Sequence, residues 1–175
     1  MVLIDWANIF HAQAKNGWTV DTRKLFSLFK QHGNVHDIVL FHGTDQHAKS
    51  QSFLTQQIAT GYRIVTKAVK KVPVTRDHEG HLLSEPILRR KCDFDVEIAK
   101  EILLNLENYQ GFILLSGDGD YAPIFDVLRD RRKQAILVFP KGGLGREYLE
   151  NEERKRAVFL CSLERLRPLI EFSSR

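Results

Sequence analysis

Two carboxylates stand at the end of an apolar run in the sequence SGDGD, which covers Ser116–Asp120. The four residues before it, Phe112–Leu115, are apolar and predict a buried strand. Glycine and aspartate also form tight turns, and Asp118 or Asp120 could cap the helix predicted to follow. The pair therefore has two interpretations, an acidic turn or part of a site that needs carboxylates.

Three further polar residues stand at comparable positions. Asp5 and Asn8 follow the apolar residues Val2–Ile4, and Asp95 begins a stretch with helical periodicity. Each has a structural alternative: Asp5 could begin a turn, Asn8 could cap a helical turn or orient Asp5, and Asp95 could cap its own helix. Together with the acidic pair, they suggest oxygen ligands drawn from distant parts of the chain.

The elements that would position these residues alternate along the chain. The predicted strands are Val2–Ile4, Val35–Phe41, Tyr62–Val69, Phe112–Leu115 and Ala135–Phe139, and the predicted helices are Arg23–Gln31, Asp45–Thr60, Asp95–Asn108, Tyr121–Arg131 and Leu163–Phe172. A hairpin or ordered loop is predicted over Val72–Pro86, and a short apolar segment over Val158–Leu160. Continuously apolar strands that alternate with helices predict a three-layer α/β/α sandwich with a mainly parallel central sheet.

The length of 175 residues suits a single domain over residues 1–175, with its core motifs in residues 2–139 and a loop and helices after residue 139. The helix Asp95–Asn108 is expected to bury one apolar face. That face comprises Val96, Ala99, Ile102, Leu103 and Leu106. Glu101 lies about 120° from Asp95 on an ideal helix, so both reach one site only if Asp95 lies in the cap; otherwise Glu101 pairs with a nearby lysine.

In sheets of this kind, ligands bind outside the carboxyl ends of the strands, where these acids are predicted to converge. Carboxylates without cationic partners repel one another, and a hard divalent cation offsets that repulsion. Mg²⁺ and Mn²⁺ prefer carboxylate and water oxygens, whereas no cysteine or histidine arrangement favours zinc. Such a cation supplies an activated water and neutralises phosphate charge, so the predicted reaction is phosphodiester hydrolysis.

The composition is that of an ordinary globular protein with a net charge of +4 and a pI of about 9.1. Its basic residues cluster at several places, including Arg89–Lys91, and suggest a surface that holds a polyanionic backbone. No apolar run is long enough to span a bilayer, and the first residues do not resemble a secretory signal. With Cys92 and Cys161 in no metal-ligand spacing, a cytoplasmic protein with free thiols is expected.

Three motifs resemble the NYN domain, a branch of the PIN-like nuclease superfamily that includes LabA-like proteins. VLIDWANIF resembles its opening strand, KCDFDVEIAKEIL is similar to its central helix, and ILLSGDGDYAPIFDVLRDRRKQAILVF resembles its acidic signature. The three occur in family order between Val2 and Phe139. Position 101 is glutamate where many relatives carry aspartate, and Tyr121 stands where phenylalanine is more usual.

The resemblance implies a PIN-like fold and a metal-dependent ribonuclease. It assigns the metal ligands and catalytic acids to Asp5, Asp95, Asp118 and Asp120, places Asn8 and Ser116 beside them, and matches Lys91 to a lysine that contacts phosphate. Beyond the resemblance, Glu101 is a further supporting candidate, and the neighbouring Arg89 and Arg90 are candidate substrate contacts. Related nuclease domains often dimerise, so a homodimer is a further possibility.

The leading hypothesis is an endoribonuclease that uses Mg²⁺ or Mn²⁺ and acts on RNA. Two alternatives stay open, because a fold does not determine function. One is a non-catalytic module that binds RNA or protein, and the other is a metal-dependent phosphohydrolase that acts on DNA or nucleotides.

Overall fold

The chain is described by a computed structural model over residues 1–32, 34–76, 79 and 81–173. In these residues eight strands form. They are β1 (Val2–Asp5), β2 (Ile38–Thr44), β3 (Arg63–Ala68), β4 (Lys70–Arg76), β5 (Leu82–Lys91), β6 (Gly111–Leu115), β7 (Gln134–Phe139) and β8 (Val158–Ser162). Six of them join in one sheet in the order β3-β2-β1-β6-β7-β8, and all of its strand pairs are parallel.

The helices alternate with these strands. They are α1 (Trp6–Asn16), α2 (Thr22–Gln31), α3 (Ala48–Thr60), α4 (Asp95–Leu104), α5 (Ala122–Asp130), α6 (Glu147–Glu150), α7 (Glu152–Ala157) and α8 (Arg167–Ile170), with 3₁₀ turns at Gly119–Tyr121 and Leu163–Arg165. The predicted α/β sandwich with a parallel sheet is confirmed.

Alternate residues of each central strand enter different cores, because successive side chains of a strand point to opposite faces of the sheet. Leu3 and Leu114 belong to the core under α4 and α5. Val2 and Ile4 belong to the core under α1, α2 and α8. The sheet is therefore covered by helices on both faces, which leaves the ends of its strands open for a functional site.

Helix α1 was not predicted, and its sequence explains the omission. Only Trp6 and Ile9 are buried along its 11 residues, so it lacks the apolar stripe by which a helix is recognised. Its beginning is fixed by Asp5, whose side chain accepts the Asn8 N–H, and its end by Gly17, which has a φ of 72°.

Several predicted boundaries were wrong. Strand β2 begins three residues later than predicted, and the Lys30 ammonium contacts the carbonyls of Val35 and His36 that precede it. The apolar segment Val158–Leu160 is part of β8, a strand that pairs with β7. The closing helix is a 3₁₀ turn followed by the four-residue α8. Gly33, which follows the predicted helix Arg23–Gln31 and was expected to end it, lies outside the described residues.

The buried face of α4 also differs from the prediction. Val96 is 75% exposed, and Leu103 is 47% exposed. The predicted burial of Ile102 and Leu106 is confirmed, and Phe94 and Ile98 enter the core with them; the four are spaced four residues apart and lie on one face. The helix is thus rotated so that an apolar stripe remains on its open side.

Strands β4 and β5 form a separate antiparallel hairpin, here called the basic arm, in the region where a hairpin was predicted. Of the predicted turn around Asp77–Gly80, residues 77, 78 and 80 lie outside the described residues. The arm leaves the sheet after β3 and returns to it just before α4. It therefore projects from the edge of the sheet at which the strands end.

Candidate active site

The carboxyl ends of β1 and β6 lie side by side at the centre of the sheet. Ile4 pairs in register with Leu115, so Asp5 and the loop Ser116–Asp120 leave the sheet together. Because the strands are parallel, the two acidic segments meet at one edge although more than 100 residues separate them.

Asp5 is buried, with 8% of its surface exposed. Its Oδ1 accepts the Asn8 N–H at 3.3 Å, and its Oδ2 accepts the Tyr121 hydroxyl at 3.3 Å. The first contact caps α1. Asp5 therefore has a structural role at the start of this helix and also lies at the edge of the sheet where the acids are grouped. A carboxylate with two neutral donors and no cation is poorly compensated for the loss of water.

Asn8 and Ser116 shape the loop that carries Asp118. The Asn8 Oδ1 accepts the Gly117 N–H at 3.0 Å, which ties α1 to the loop. Ser116 is completely buried, and its hydroxyl accepts the Asp118 N–H at 3.2 Å. Both side chains therefore lie beside the predicted acids and hold the backbone of the acidic loop in place.

Asp118 holds its loop through both side chain and backbone. Its Oδ1 accepts the Asp120 N–H at 3.1 Å and so caps the 3₁₀ turn, as the turn interpretation required. Its carbonyl oxygen accepts the Tyr148 hydroxyl at 2.8 Å. The second carboxylate oxygen makes no hydrogen bond to the part of the chain that the structure describes, and it remains available to a ligand.

The loop after β7 packs against the acidic loop so closely that a side chain would not fit. A Cβ on Gly117 would lie 1.7 Å from the Gly143 carbonyl oxygen. The Gly145 N–H donates to the Gly117 carbonyl at 2.8 Å. The glycines of SGDGD therefore do more than form a turn, because they admit a second loop that stabilises the first.

Asp95 reaches the same place from α4, which covers the face of the sheet that Leu3 and Asp5 share. It is the first residue of α4, whose cap position is Phe94, so Asp95 does not act as the predicted N-cap. Its carboxylate is half-buried and lies beside Tyr121 in the lining of one cleft. The single phenolic proton of Tyr121 is donated to Asp5, so Asp95 receives no hydrogen bond from it.

Burial and mutual repulsion raise the affinity of these acids for protons. Burial above all raises the pKa of Asp5 to about 6, with smaller contributions from the charges of Asp95 and Asp118. Burial likewise raises the pKa of Asp95, and the charge of Asp118 adds to this. Burial also raises the pKa of Tyr121, so its phenol stays neutral. The site is therefore short of positive charge.

Asp120 lies at the exposed side of this centre, where it lines one cleft with Asp95 and Tyr121. Glu101, in contrast, lies apart from the centre. Glu101 forms an ion pair with Arg63 at 2.6 Å and accepts a hydrogen bond from Asn105. Because Arg63 begins β3, Glu101 faces the opposite end of the sheet from Asp5.

The predicted substrate contacts lie on β5 in the basic arm, close to Asp95 in sequence. Arg90 is ion-paired with Asp45, and the Lys91 ammonium lies 3.5 Å from Asp93. Arg89 is exposed and has no carboxylate partner among the described residues. The three cations therefore lie on a projection beside the acids and do not neutralise them.

The donor set suits a hard divalent cation in kind. Asp5, Asp95 and Asp118 offer carboxylate oxygens, and within the described ranges none of them has an ion-pair partner. In the same ranges, however, no three acidic, histidine or cysteine side chains lie close enough together to hold one ion. The residues therefore fit a cation by their chemistry and charge, and direct coordination by three of them requires the side chains to move inward.

Tyr121 and Tyr148 contact Asp5 and Asp118, and the sequence did not single them out as site residues. Tyr121 carried a weak signal, since it stands directly after the acidic loop and has a hydroxyl that the more usual phenylalanine lacks. Tyr148 carried none, because its contact with Asp118 spans 30 residues and depends on the loop after β7.

A parallel α/β sheet with acidic residues after its central strands is the arrangement of a PIN-like domain. The fold is similar to the crystal structure of a protein of unknown function from Vibrio parahaemolyticus, with a TM-score of 0.69 and 15% sequence identity. That similarity covers 93% of this chain and 90% of the other.

The NYN domain family matches residues 1–157, and the chain belongs to this family of PIN-like, ribonuclease-type domains. It is also 24% identical over 176 residues to the low amplitude and bright protein LabA of Synechococcus elongatus. The alignment covers 99% of this chain and 88% of LabA. In the residues described, no helix is both long and apolar enough to cross a membrane.

Proposed function

We propose that this protein is an endoribonuclease that depends on Mg²⁺ or Mn²⁺ and hydrolyses RNA phosphodiester bonds. The observation that carries the proposal is the group of buried and half-buried carboxylates around Tyr121, which no described cation neutralises. Buried carboxylates without a compensating cation destabilise the fold, so their presence favours a function in which a cation binds to them. Membership of the NYN family supports nuclease chemistry.

Asp5, Asp95 and Asp118 would hold the cation, with Asp120 as a further ligand or as the group that orients the attacking water. When bound, the cation supplies an activated water and neutralises charge on the phosphate. Asp118 would contribute the carboxylate oxygen that its own loop leaves free. The exposed carboxylate of Asp120 can accept a proton from a water beside it.

Tyr121 would position Asp5, the acid that it contacts. Its hydroxyl donates to Asp5 and lies beside Asp95, so Asp95 is the acid more in need of a proton or a cation. Near neutral pH, a pKa of about 6 leaves Asp5 largely ionised and ready to bind a cation. Tyr121 is therefore a positioning residue and keeps the pocket shaped when the cation is absent.

The basic arm would hold the RNA backbone. Arg89, Arg90 and Lys91 are exposed on β5, which leads through Asp93 to Asp95. A strand of RNA that crosses the acidic edge is repelled by carboxylates and needs cations beside them to bind. Lys91 is the cation closest in sequence to the acidic centre, and Arg89 has the least involvement with other side chains.

Replacing Asp118 with Asn tests the proposal. The wild-type chain is expected to cleave a labelled single-stranded RNA when Mn²⁺ is added and not in EDTA. Asp118→Asn keeps the acceptor for the Asp120 N–H but removes the charge, so cleavage should fall by about 100-fold or more. An undiminished rate in Asp118→Asn, at equal thermal stability, would contradict the mechanism.

A second function, an RNA-binding module without catalysis, is favoured by one observation. Among the described residues no three potential ligands converge tightly enough to hold an ion, so the acids are not assembled for coordination. RNA binding that is independent of divalent metals, without cleavage in Mg²⁺, Mn²⁺ or Ca²⁺, would support this function. A parallel assay with single-stranded DNA and free nucleotides distinguishes a ribonuclease from a broader phosphohydrolase.

A further inference from the structure

An open cleft of about 210 Å³ lies between α4 and α5 and reaches the acidic centre. Its lining consists of Asp95, Ala99, Leu103, Asp120, Tyr121, Pro123, Ile124 and Val127. We call it the α4–α5 cleft. It shares Asp95, Asp120 and Tyr121 with the proposed active site, so a group bound in it lies next to whatever the acids act on.

The chemistry of the cleft is different from that of the acidic centre. Away from the acids its walls are apolar: Ala99 and Leu103 lie on α4, and Ile124 and Val127 lie on α5. Leu103 was expected to be part of the core and instead remains 47% exposed. Burial of a flat apolar surface against these walls is favourable because it removes apolar surface from water. The walls have no groups that would bind a phosphate.

Charge also restricts the occupant. The cleft has two carboxylates at its mouth and no basic residue in its lining. These carboxylates repel the RNA backbone but accept hydrogen bonds from the N–H groups on the edge of a nucleobase. A planar group with an apolar face and an edge that bears N–H donors satisfies both parts of the cleft.

Size points the same way. Pockets for drug-sized ligands measure roughly 300–1,000 Å³, and this cleft is smaller. A single base, which is smaller than a drug-sized ligand, is an occupant of suitable size. The sugar and phosphate would therefore stay outside, at the acids, where cleavage is proposed to occur.

We propose that the α4–α5 cleft binds one unpaired nucleobase of the RNA, the base adjacent to the phosphodiester bond that is cleaved. This inference rests on the proposed function and specifies its substrate class. A base held between two helices cannot pair with another strand, so the substrate is single-stranded at the point of cleavage. Base pairing across that position should protect an RNA from the protein.

An abasic substrate tests the cleft directly. The bond cleaved in a short single-stranded RNA is mapped first, and the same RNA is then made without the base on either side of that bond. The wild-type chain is expected to cleave one of the abasic RNAs with kcat/KM about tenfold lower than the intact RNA, in line with the contribution of a single stacked base. Equal cleavage of intact and abasic RNAs would overturn the proposal.

A variant that fills the cleft provides the second arm. Ala99→Phe adds a ring inside the cleft, so intact RNA should be cleaved about tenfold more slowly and removal of the base should have no further effect. Leu104→Phe is the control, because Leu104 lies on the same helix, is 68% exposed and does not line the cleft. Unchanged cleavage of intact RNA by Ala99→Phe would overturn the inference.

Two further measurements apply if Ala99→Phe does not fold or if the wild-type chain does not cleave RNA. Val127→Phe fills the cleft from α5, and it replaces Ala99→Phe if the latter does not fold. If the wild-type chain cleaves no RNA at all, the proposed function fails, and the cleft is tested by binding alone. Fluorescence anisotropy should then show that the wild-type chain binds abasic RNA more weakly than intact RNA. The variant with a filled cleft should bind the two RNAs equally. Equal binding of the two RNAs by the wild-type chain would overturn the cleft proposal.

Discussion

The two ends of the parallel sheet treat acidic residues in opposite ways. At the amino end, the Arg63 guanidinium lies between Asp37 and Glu101, at 2.7 Å and 2.6 Å from their carboxylate oxygens. At the carboxyl end, Asp5 accepts the hydroxyl of Tyr121, and neither Asp5 nor Asp95 has an ion-pair partner among the described residues. The first arrangement neutralises its charges within the chain, and the second leaves them to be neutralised by something else.

This difference separates structural from functional acids. The ion pairs of Arg63 are part of the surface and contribute little to stability, since exposed pairs are worth about 0–1 kcal/mol. The acids around Tyr121 lower stability because burial without a cation disfavours their charged forms. A sequence that keeps such acids gives up stability at one end of the sheet, and the proposed reaction explains why.

The largest expected effect contrasts two acids on the same helix. Asp95→Asn should lower RNA cleavage in Mn²⁺ by about 100-fold, because it removes a proposed ligand of the cation. Glu101→Gln, the matched variant near the other end of α4, should leave cleavage within about twofold of the wild-type rate, since Glu101 pairs with Arg63. Steady-state cleavage of one labelled RNA by both variants measures the contrast, and a large loss in Glu101→Gln would restore that residue to the site.

The next effect concerns stability and its dependence on pH. The pKa of Asp5 is raised from 3.8 to about 6, so the folded state holds its proton more tightly than the unfolded state. The stabilising contribution of protonated Asp5 is present below pH 4 and is lost as the pH rises through about 6. Without metal, Asp5→Asn should therefore be more stable than the wild type at pH 7.5, by about 2–3 kcal/mol.

Urea unfolding in EDTA at pH 4 and at pH 7.5 tests this. The difference between the two proteins should appear at pH 7.5 and vanish at pH 4, and Mn²⁺ should raise the midpoint of the wild type but not of Asp5→Asn. If Asp5→Asn is less stable than the wild type at pH 7.5, then the fold itself stabilises the charge of Asp5. The acids at the two ends of the sheet would then not differ in this respect.

A smaller effect is expected from the basic arm. Arg89→Ala should weaken RNA binding by about threefold to tenfold and reduce the dependence of log Kd on log salt by about 0.7, as expected for one lost phosphate contact. Lys30→Ala is the control, because the Lys30 ammonium contacts the carbonyls of Val35 and His36 before β2 begins. Equal salt slopes for the wild type and Arg89→Ala would remove Arg89 from the interface.

The smallest effect is expected at the amino end. Arg63→Ala removes two ion pairs whose arginine is partly exposed, so the free energy of unfolding should fall by about 1 kcal/mol or less. RNA cleavage should not change. Thermal unfolding and a cleavage assay on the same preparation check both parts, and a loss of cleavage would show that the two ends of the sheet are coupled.

The sequence was sufficient to predict five of the six strands of the sheet and the edge at which Asp5 and Asp118 lie, because parallel strands place their carboxyl ends at one edge whatever lies between them. The positions of Asp5 at the end of β1 and of Asp118 after β6 follow from apolar runs alone. The face that α4 buries did not follow, since Val96 and Ile98 are equally apolar and only the packing of α4 on the sheet decides which one enters the core.

The contacts that finish the site were also beyond the reach of sequence patterns. The Tyr121 hydroxyl bonds to a carboxylate 116 residues away, and no periodicity connects the two. Helix α1 was missed for a related reason, because much of its surface is polar and its buried residues are few. What sequence reasoning lacks here is side-chain direction, which depends on packing between elements.

The approach of the loop after β7 to Gly117 has a consequence for how relatives of this chain can diverge. A Cβ at Gly117 would collide with the Gly143 backbone, and the Gly145 N–H holds the two loops together. Insertions or larger residues in one loop therefore require a matching change in the other. Across related sequences, positions 117 and 143 should covary, and a relative with a side chain at 117 should carry a longer connection after β7.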